Sequence, residues 1–467
     1  MRCSAYIPVA RIFFVVFACL AIQARVVVRA DERAGNSQAG SPATVQHEAV
    51  EIFPPVQEHV HGSTIVQLPN GDLLAAWFQG SGERWADDVA IRGARRKAGA
   101  ARWSEPFLMA DTPGFPDINP ILFLDSQDRL WLMWYTVIAN QWETSLLKYR
   151  ISEGGAEQTG APKWIWQDVL HVKPGGSGER GIQPDDRFVK SVERQVEEYG
   201  VRIKDLYESE PARAAIAVGL WKTWSGQLLA KARGEDMVRR GILREPSGES
   251  TQKELGYPYF RRMGWQTKNK AVLIDGKRLI VPLYSDGFSF SLMAITDNDG
   301  QTWQFSEPLV GPGNIQPSIV KRADGALVTY MRDNGPPPQR LHVSESSDKG
   351  LTWSLVEDSD LPNPGSGADL VTLRNGHWVL AYNDTEEGRH SLAVSLSTDD
   401  GRTWSHTRHL ELRSADGPPL SASYPSIIQG AQGSLHVVYS YHGRDSNGRS
   451  RKTIKYAKFT ESWLKGQ

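Results

Sequence analysis

Six times along the chain, a run rich in β-branched and aromatic residues meets a short turn of Gly, Asp or Asn and then a second such run. The segments are STIVQLPNGDLLAAWF from Ser63, NPILFLDSQDRLWLMWY from Asn119, KAVLIDGKRLIVPLY from Lys270, PSIVKRADGALVTYMR from Pro317, DLVTLRNGHWVLAYN from Asp369 and PSIIQGAQGSLHVVYS from Pro425. Each reads as a hairpin, because such runs suit a pleated, half-buried surface and the turn residues tolerate the chain reversal. One hairpin design recurring this evenly predicts one small sheet per repeat. Six such sheets around an axis make an all-β, six-bladed β-propeller, with the first strand of each hairpin nearest the channel.

A second repeat supports the blade count. TDNDGQTW (Thr296 to Trp303), SSDKGLTW (Ser346 to Trp353) and STDDGRTW (Ser397 to Trp404) place their tryptophans 50 and 51 residues apart, the length of a four-stranded blade. In each, an Asp or Asn with a Gly shapes a tight turn, the Thr enters a strand and the Trp covers the hairpin end. One interval departs from the pattern. Between the second and third hairpins, VERQVEEYGVRIKDLY, ARAAIAVGLWKTWSGQLLAKA and EDMVRRGI carry helically spaced apolar positions and strong helix formers. Pro184 and Pro211 mark expected helix starts, and Gly200 and Gly241 expected ends. The reading is a helical insertion over 178–262, between blades 2 and 3, serving either as a rim over the channel mouth or as a surface packing element.

At the N-terminus, Arg2 and Arg11 precede an apolar run from Ile12 to Ile22, followed by small residues at Ala24 and Ala30. This predicts a cleaved signal peptide over 1–30 and export to the periplasm or the exterior, with a flexible segment over 31–50 and the propeller over 51–467. A membrane anchor is the alternative, because Val26, Val27 and Val28 extend the apolar character. No second apolar span follows, so no stable membrane span is expected once the signal is removed. Both cysteines, Cys3 and Cys19, lie in the leader, which excludes a disulfide scaffold.

Among 467 residues with a net charge of −1 there is no basic stripe of the kind nucleic acid requires. The 16 Trp and 43 Gly fit a glycine-punctuated β-protein with a sugar-binding surface. His59 and His61 have no carboxylate cluster to complete a metal site, and no phosphate-binding loop appears, so no metal or cofactor is expected. The sequence leaves the oligomeric state open.

In a propeller, the residues entering each innermost strand converge on the axis. Here they are His61, Asp117, Lys268 with Asn269, Gln316, Asp369 and Tyr424, all able to hydrogen-bond or titrate. The second strands end at Gln79, Tyr135, Tyr284, Arg332, Asn383 and Ser440.

The three Asp-boxes, the six hairpins and the closing SYPSIIQGAQGSLHVVYS resemble the sialidase (neuraminidase) superfamily, in particular its bacterial members built from BNR repeats, over about Val56 to Phe459. The resemblance implies a carboxylate-binding arginine cluster. Arg332 in YMRDNG and Arg389 in EEGRHSLAV match its second and third members, while His61 stands where the first arginine belongs. It also implies Tyr424 as the nucleophile, a neutral phenol suited to an anionic sugar. The base that activates this tyrosine is a glutamate in the family, and Gln316 replaces it here. The acid/base maps to Glu83 in GSGERWADDVAI, with Asp87 as runner-up, and Lys268 and Asp369 are further candidate substrate-binding residues. The implied activity is a secreted exo-glycosidase that removes a terminal acidic sugar from glycans. Because His61 and Gln316 replace two working groups, two other readings stand beside it: a hydrolase or lyase for another acidic, uronate-type glycan, and a non-catalytic carbohydrate-binding propeller.

Overall fold

The computed structural model describes residues 47–153, 159–174, 186–233, 263–445 and 447–467; the predicted leader lies outside them. Six antiparallel four-stranded sheets form the blades of a propeller. Blades 1 to 5 follow chain order, over 59–110, 117–169, 272–305, 314–362 and 369–412. Blade 6 takes three strands from 421–459 and its outermost strand from His47–Glu51 at the other end of the chain, in the register His47↔Phe459 to Glu51↔Lys455. The inner strand of blade 6 packs against that of blade 1, so the ring closes. Residues 47–50, expected to be flexible, are therefore part of the propeller. Their pairing satisfies an edge that would otherwise expose unpaired backbone groups.

The first strand of each hairpin is the innermost, as the hairpin repeat predicts, and those of blades 1, 2, 4 and 6 are buried along most of their length. Large aromatics from second strands fill the space between blades, among them Trp77, Trp131 and Trp378, all inaccessible to solvent. The Asp-boxes lie on the turns between third and fourth strands, on the face opposite the inner-strand entrances. Asp348 accepts the Thr352 amide at 3.0 Å and the Thr352 hydroxyl at 2.6 Å, and Asp399 does the same with Thr403 at 2.9 and 2.7 Å. Asn298 keeps the turn with one reversed bond: its Oδ1 accepts the Thr302 amide at 2.9 Å while its Nδ2 donates to the Thr302 hydroxyl at 2.9 Å.

Among the described residues the insertion contributes two helices, α1 (Arg187–Leu206) and α2 (Pro211–Ala232), between blades 2 and 3 in chain order. α1 buries Phe188, Val192, Gln195 and Ile203 along one face. Gln195 bonds the Pro308 carbonyl at 2.7 Å and the Val310 amide at 3.0 Å, fixing the helix to the connection between blades 3 and 4. Pro211 begins α2 as expected. Gly200 does not end a helix; it lies inside α1 facing the Trp221 ring of α2, where an added Cβ would stand at an ordinary van der Waals distance of 3.6 Å. The predicted stops and starts at Gly241 and Pro184 fall outside the described residues. Among the described residues, no helix is long and apolar enough to cross a membrane.

Candidate active site

Four inner strands share one irregularity near their entrance. Pairing with the second strand shifts between His61 and Thr64, Ile118 and Ile121, Ile315 and Ser318, and Ser423 and Ser426. Inside each bulge one residue has a left-handed backbone: Gly62 (φ 63°), Asn119 (φ 44°), Gln316 (φ 55°) and Tyr424 (φ 55°). In the last three the next residue is proline, which has no amide hydrogen to give the ladder. A non-glycine residue held at positive φ costs about 1–3 kcal/mol and persists where the surroundings enforce it, commonly at functional sites. At Gly62 a side chain is also excluded by space, since a Cβ would lie 2.4 Å from Asn119 Oδ1.

The bulged side chains meet at the axis. Gln316 Nε2 donates to the Tyr424 hydroxyl at 3.1 Å and reaches the Tyr284 hydroxyl at 3.4 Å. Asn119 Nδ2 donates to the hydroxyls of Tyr135 at 3.1 Å and Tyr284 at 3.3 Å. Three phenols from blades 2, 3 and 6 are thereby tied together by two amides. Gln316 is 2 % exposed, and its Oε1 has no hydrogen-bond partner among the described residues.

Tyr424 is the hub of this arrangement. Arg332 Nη1 donates to its hydroxyl at 2.8 Å. The Arg389 guanidinium lies 5.3 Å from the centre of its ring while Nη2 donates to the Gly365 carbonyl at 2.9 Å. His61 stacks on the ring at 4.1 Å, with Nδ1 2.8 Å from Ser440 Oγ. Burial, reinforced by the charges of His442, Arg389, His59 and Lys268, pushes the His61 pKa well below its ordinary value, so the imidazole is neutral. Burial also lowers Arg389, an effect Tyr424 partly offsets and Arg332 reinforces. For Arg332 burial acts in the same direction, but the neighbouring Tyr424, Asp286 and Tyr284 outweigh it and its pKa is raised.

Glu83 reaches the mouth on the loop leaving the second strand of blade 1, with Oε1 3.1 Å from His59 Nε2. Burial would raise its pKa, yet the hydrogen bond and charge of His59, with Arg84 and Arg389, outweigh burial and lower it. An acid/base carboxyl needs the opposite shift to hold a proton, so Glu83 can deliver one only as part of its pair with His59. The site also contains a carboxyl that strand-entry reasoning passed over. Asp286 follows the second strand of blade 3, and burial raises its pKa against the opposing pull of Arg332.

The structure moves three expected residues out of direct substrate contact. Lys268 is buried against the Tyr424 ring, with Nζ 5.3 Å from the ring centre, and donates to the Pro425 carbonyl at 3.0 Å and Asn269 Oδ1 at 3.1 Å. It supports the tyrosine from within the protein. Asp369 is fully buried and saturated by Ser318 Oγ at 2.7 Å, Lys270 Nζ at 2.7 Å and the Ile427 amide at 2.9 Å, which clamps blades 4, 5 and 6 together. Asp87 is exposed and takes no part in the contacts described above; its neighbour Asp88 shapes the loop by accepting the Ser81 amide and hydroxyl. Asn119 and Asp286 were the residues missed. The Asn-Pro, Gln-Pro and Tyr-Pro dipeptides opening three inner strands were the available signal for the first.

A six-bladed propeller with an axial tyrosine under two arginines defines the class of protein to which this chain conforms. The BNR repeat-like domain family matches residues 71–173 and 249–437, and the chain belongs to that family, within the sialidase superfamily. It is similar to a sialidase of Micromonospora viridifaciens, 26% identical over 181 residues that make up 37% of this chain and 25% of that protein. It is also similar to an anhydrosialidase of Macrobdella decora, 25% identical over 209 residues, 41% of this chain and 27% of that protein. The chain thus spans about a quarter of the length of these two relatives. Its fold is like that of a leech intramolecular trans-sialidase solved with 2,7-anhydro-Neu5Ac, with a TM-score of 0.58 at 14% identity over 90% of this chain and 71% of the other.

Proposed function

We propose that this protein is an exported glycoside hydrolase of the sialidase type that removes a terminal acidic sugar. The observation that carries this reading is the contact of Arg332 with the Tyr424 hydroxyl at 2.8 Å, with the Arg389 guanidinium over the same ring. Two fixed cations beside one phenol suit a substrate whose carboxylate adjoins its anomeric carbon. In this reading Arg332 and Arg389 hold the carboxylate; Tyr424 passes its phenolic proton to water at the channel mouth and bonds to the anomeric carbon as the bond to the leaving oxygen breaks, and water then displaces the tyrosine to release the sugar. Negative charge on its oxygen is met by N–H donors already in place, those of Arg332 and Gln316. The Glu83–His59 pair, at the rim, supplies the proton for the leaving oxygen. The kinship with sialidases supports the same assignment.

One observation favours a second reading. Among the described residues no carboxylate is hydrogen-bonded to the Tyr424 hydroxyl, which takes N–H groups from Arg332 and Gln316, while the neutral His61 imidazole stacks on the ring. A tyrosine–histidine pair with an arginine against the substrate carboxylate is suited to abstracting the proton beside that carboxylate, which is elimination from a uronate rather than hydrolysis.

Release of the aglycone from a fluorogenic sialoside, and ultraviolet absorbance from a panel of uronate oligosaccharides, separate the two. Hydrolysis that Tyr424→Phe and Arg332→Met each reduce by about 10² or more supports the first reading. An unsaturated product supports the second. Glycan binding without turnover of any substrate, or full activity in both variants, overturns the catalytic assignment.

A further inference from the structure

The mouth of the channel has two unlike sides. The two arginines on Tyr424, Arg332 and Arg389, come from blades 4 and 5, which in a six-bladed ring lie across the axis from blades 1 and 2. The loops of blades 1 and 2 on the same face bear exposed apolar residues: Trp85 at 61% exposure, Phe115 at 38% and Ile138 at 38%. Trp85 belongs to the loop that also carries Glu83 and Asp87. A single exposed indole is common on protein surfaces, but one at the rim of the site offers a flat apolar face to a ligand.

The structure behind Trp85 is ordered. The Arg84 guanidinium lies 5.1 Å from the Trp85 ring centre and 4.8 Å from that of Trp142, held between the two indoles. Trp142 meets Tyr135 edge-on at 6.1 Å, which joins the stack to the tyrosine floor of the site. Arg84 Nε is buried and has no hydrogen-bond partner among the described residues. Arg84 is close enough to Glu83 and Asp286 for its charge to act on both, so the stack borders the reacting groups.

We propose that Trp85, backed by Arg84 and Trp142, forms a second sugar subsite that receives the neutral pyranose to which the terminal acidic sugar is attached. The inference rests on the glycosidase reading above for the direction of the substrate. A carboxylate held from blades 4 and 5 directs the leaving group toward blades 1 and 2. A pyranose presents a face of C–H groups that suits an indole, and hydroxyls at its edge suit the Arg84 donors. The loop 81–89 carries Glu83, Asp87 and Asp88 against Arg84 alone, a balance that disfavours an acidic leaving group.

Two measurements test it. Lactose, a neutral oligosaccharide, is titrated into the full-length protein and into Trp85→Ala while the indole N–H resonances are followed by NMR. One resonance that is missing in the variant should shift in the wild type, and lactose affinity should fall about fivefold or more in the variant. No indole shift in the wild type, or equal affinity in both proteins, overturns the subsite. In the second measurement, kcat/KM is compared for one acidic sugar carried by lactose and by a methyl group. A loss of about fivefold or more on the lactose-linked substrate alone, restored by Trp85→Phe, is the expected result. An equal loss on both substrates, or none, overturns the inference. Wild-type inactivity on every acidic glycoside refutes the hydrolase reading instead, and the lactose titration still decides whether the subsite exists.

Discussion

Arg332 of blade 4 and Tyr424 of blade 6 are joined across the channel by a 2.8 Å hydrogen bond to the phenolic oxygen. Gln316 shares that oxygen at 3.1 Å. Among the described residues no carboxylate is bonded to this hydroxyl, and this departure from the pattern that the resemblance implies makes the clearest prediction.

Gln316→Glu places a carboxylate within reach of the Tyr424 hydroxyl, where a base would accept the phenolic proton. If the site hydrolyses a sialoside, turnover should rise about tenfold and the pH–rate profile should gain an ionisation absent from the wild type. A variant with the wild-type profile would show that proton removal from Tyr424 does not limit the reaction.

Lys268 tests the charge beneath the ring. Burial lowers its pKa from 10.5 to about 8, against the pull of Asp369 and with the help of Lys270. Between about 8 and 10.5 the folded protein has lost this proton while the unfolded chain still holds it, so stability relative to Lys268→Met rises with pH in that window. Thermal denaturation of both proteins across the window measures the difference, and parallel curves would contradict the buried position of the amine.

His342 gives the opposite sign. It lies 2.9 Å from Asp358 and 3.4 Å from Asp333, the residue after Arg332. Burial would lower its pKa, but the two carboxylates raise it from 6.5 to about 9. The stabilisation is complete below pH 6.5 and is lost as pH rises through 9. His342→Gln should therefore be most destabilised, relative to the wild type, in mild acid, and the gap should close in alkali; urea denaturation at several pH values follows it.

The blade count was legible because each hairpin states its own pattern within about twenty residues. The closing strand was not, since HEAVE at 47–51 gains its meaning only from 455–459, about 400 residues away. Gly200 illustrates a local signal overruled by its surroundings: α1 runs through it from Arg187 to Leu206 despite glycine's low helix propensity. At the axis, polarity alone did not separate two uses of the same position. Asp369 and Tyr424 both enter inner strands, yet one clamps blades together and the other faces the arginines. The difference is the bulge, which turns Tyr424, Gln316 and Asn119 toward the axis and is absent at Asp369. Glu83 was placed on its loop only through the family resemblance, and its lowered pKa depends on His59, a partner supplied by the folded sheet.

The central claim, that Tyr424 forms the bond to the sugar, is tested most directly by trapping it. The protein is incubated with a fluorinated acidic glycosyl fluoride, which forms the covalent intermediate quickly and releases it slowly, and the digest is examined by mass spectrometry. The account predicts one sugar on the peptide containing Tyr424 and none in Tyr424→Phe. Labelling of a different residue, or turnover of the reagent with the Tyr424 peptide unmodified, would contradict it.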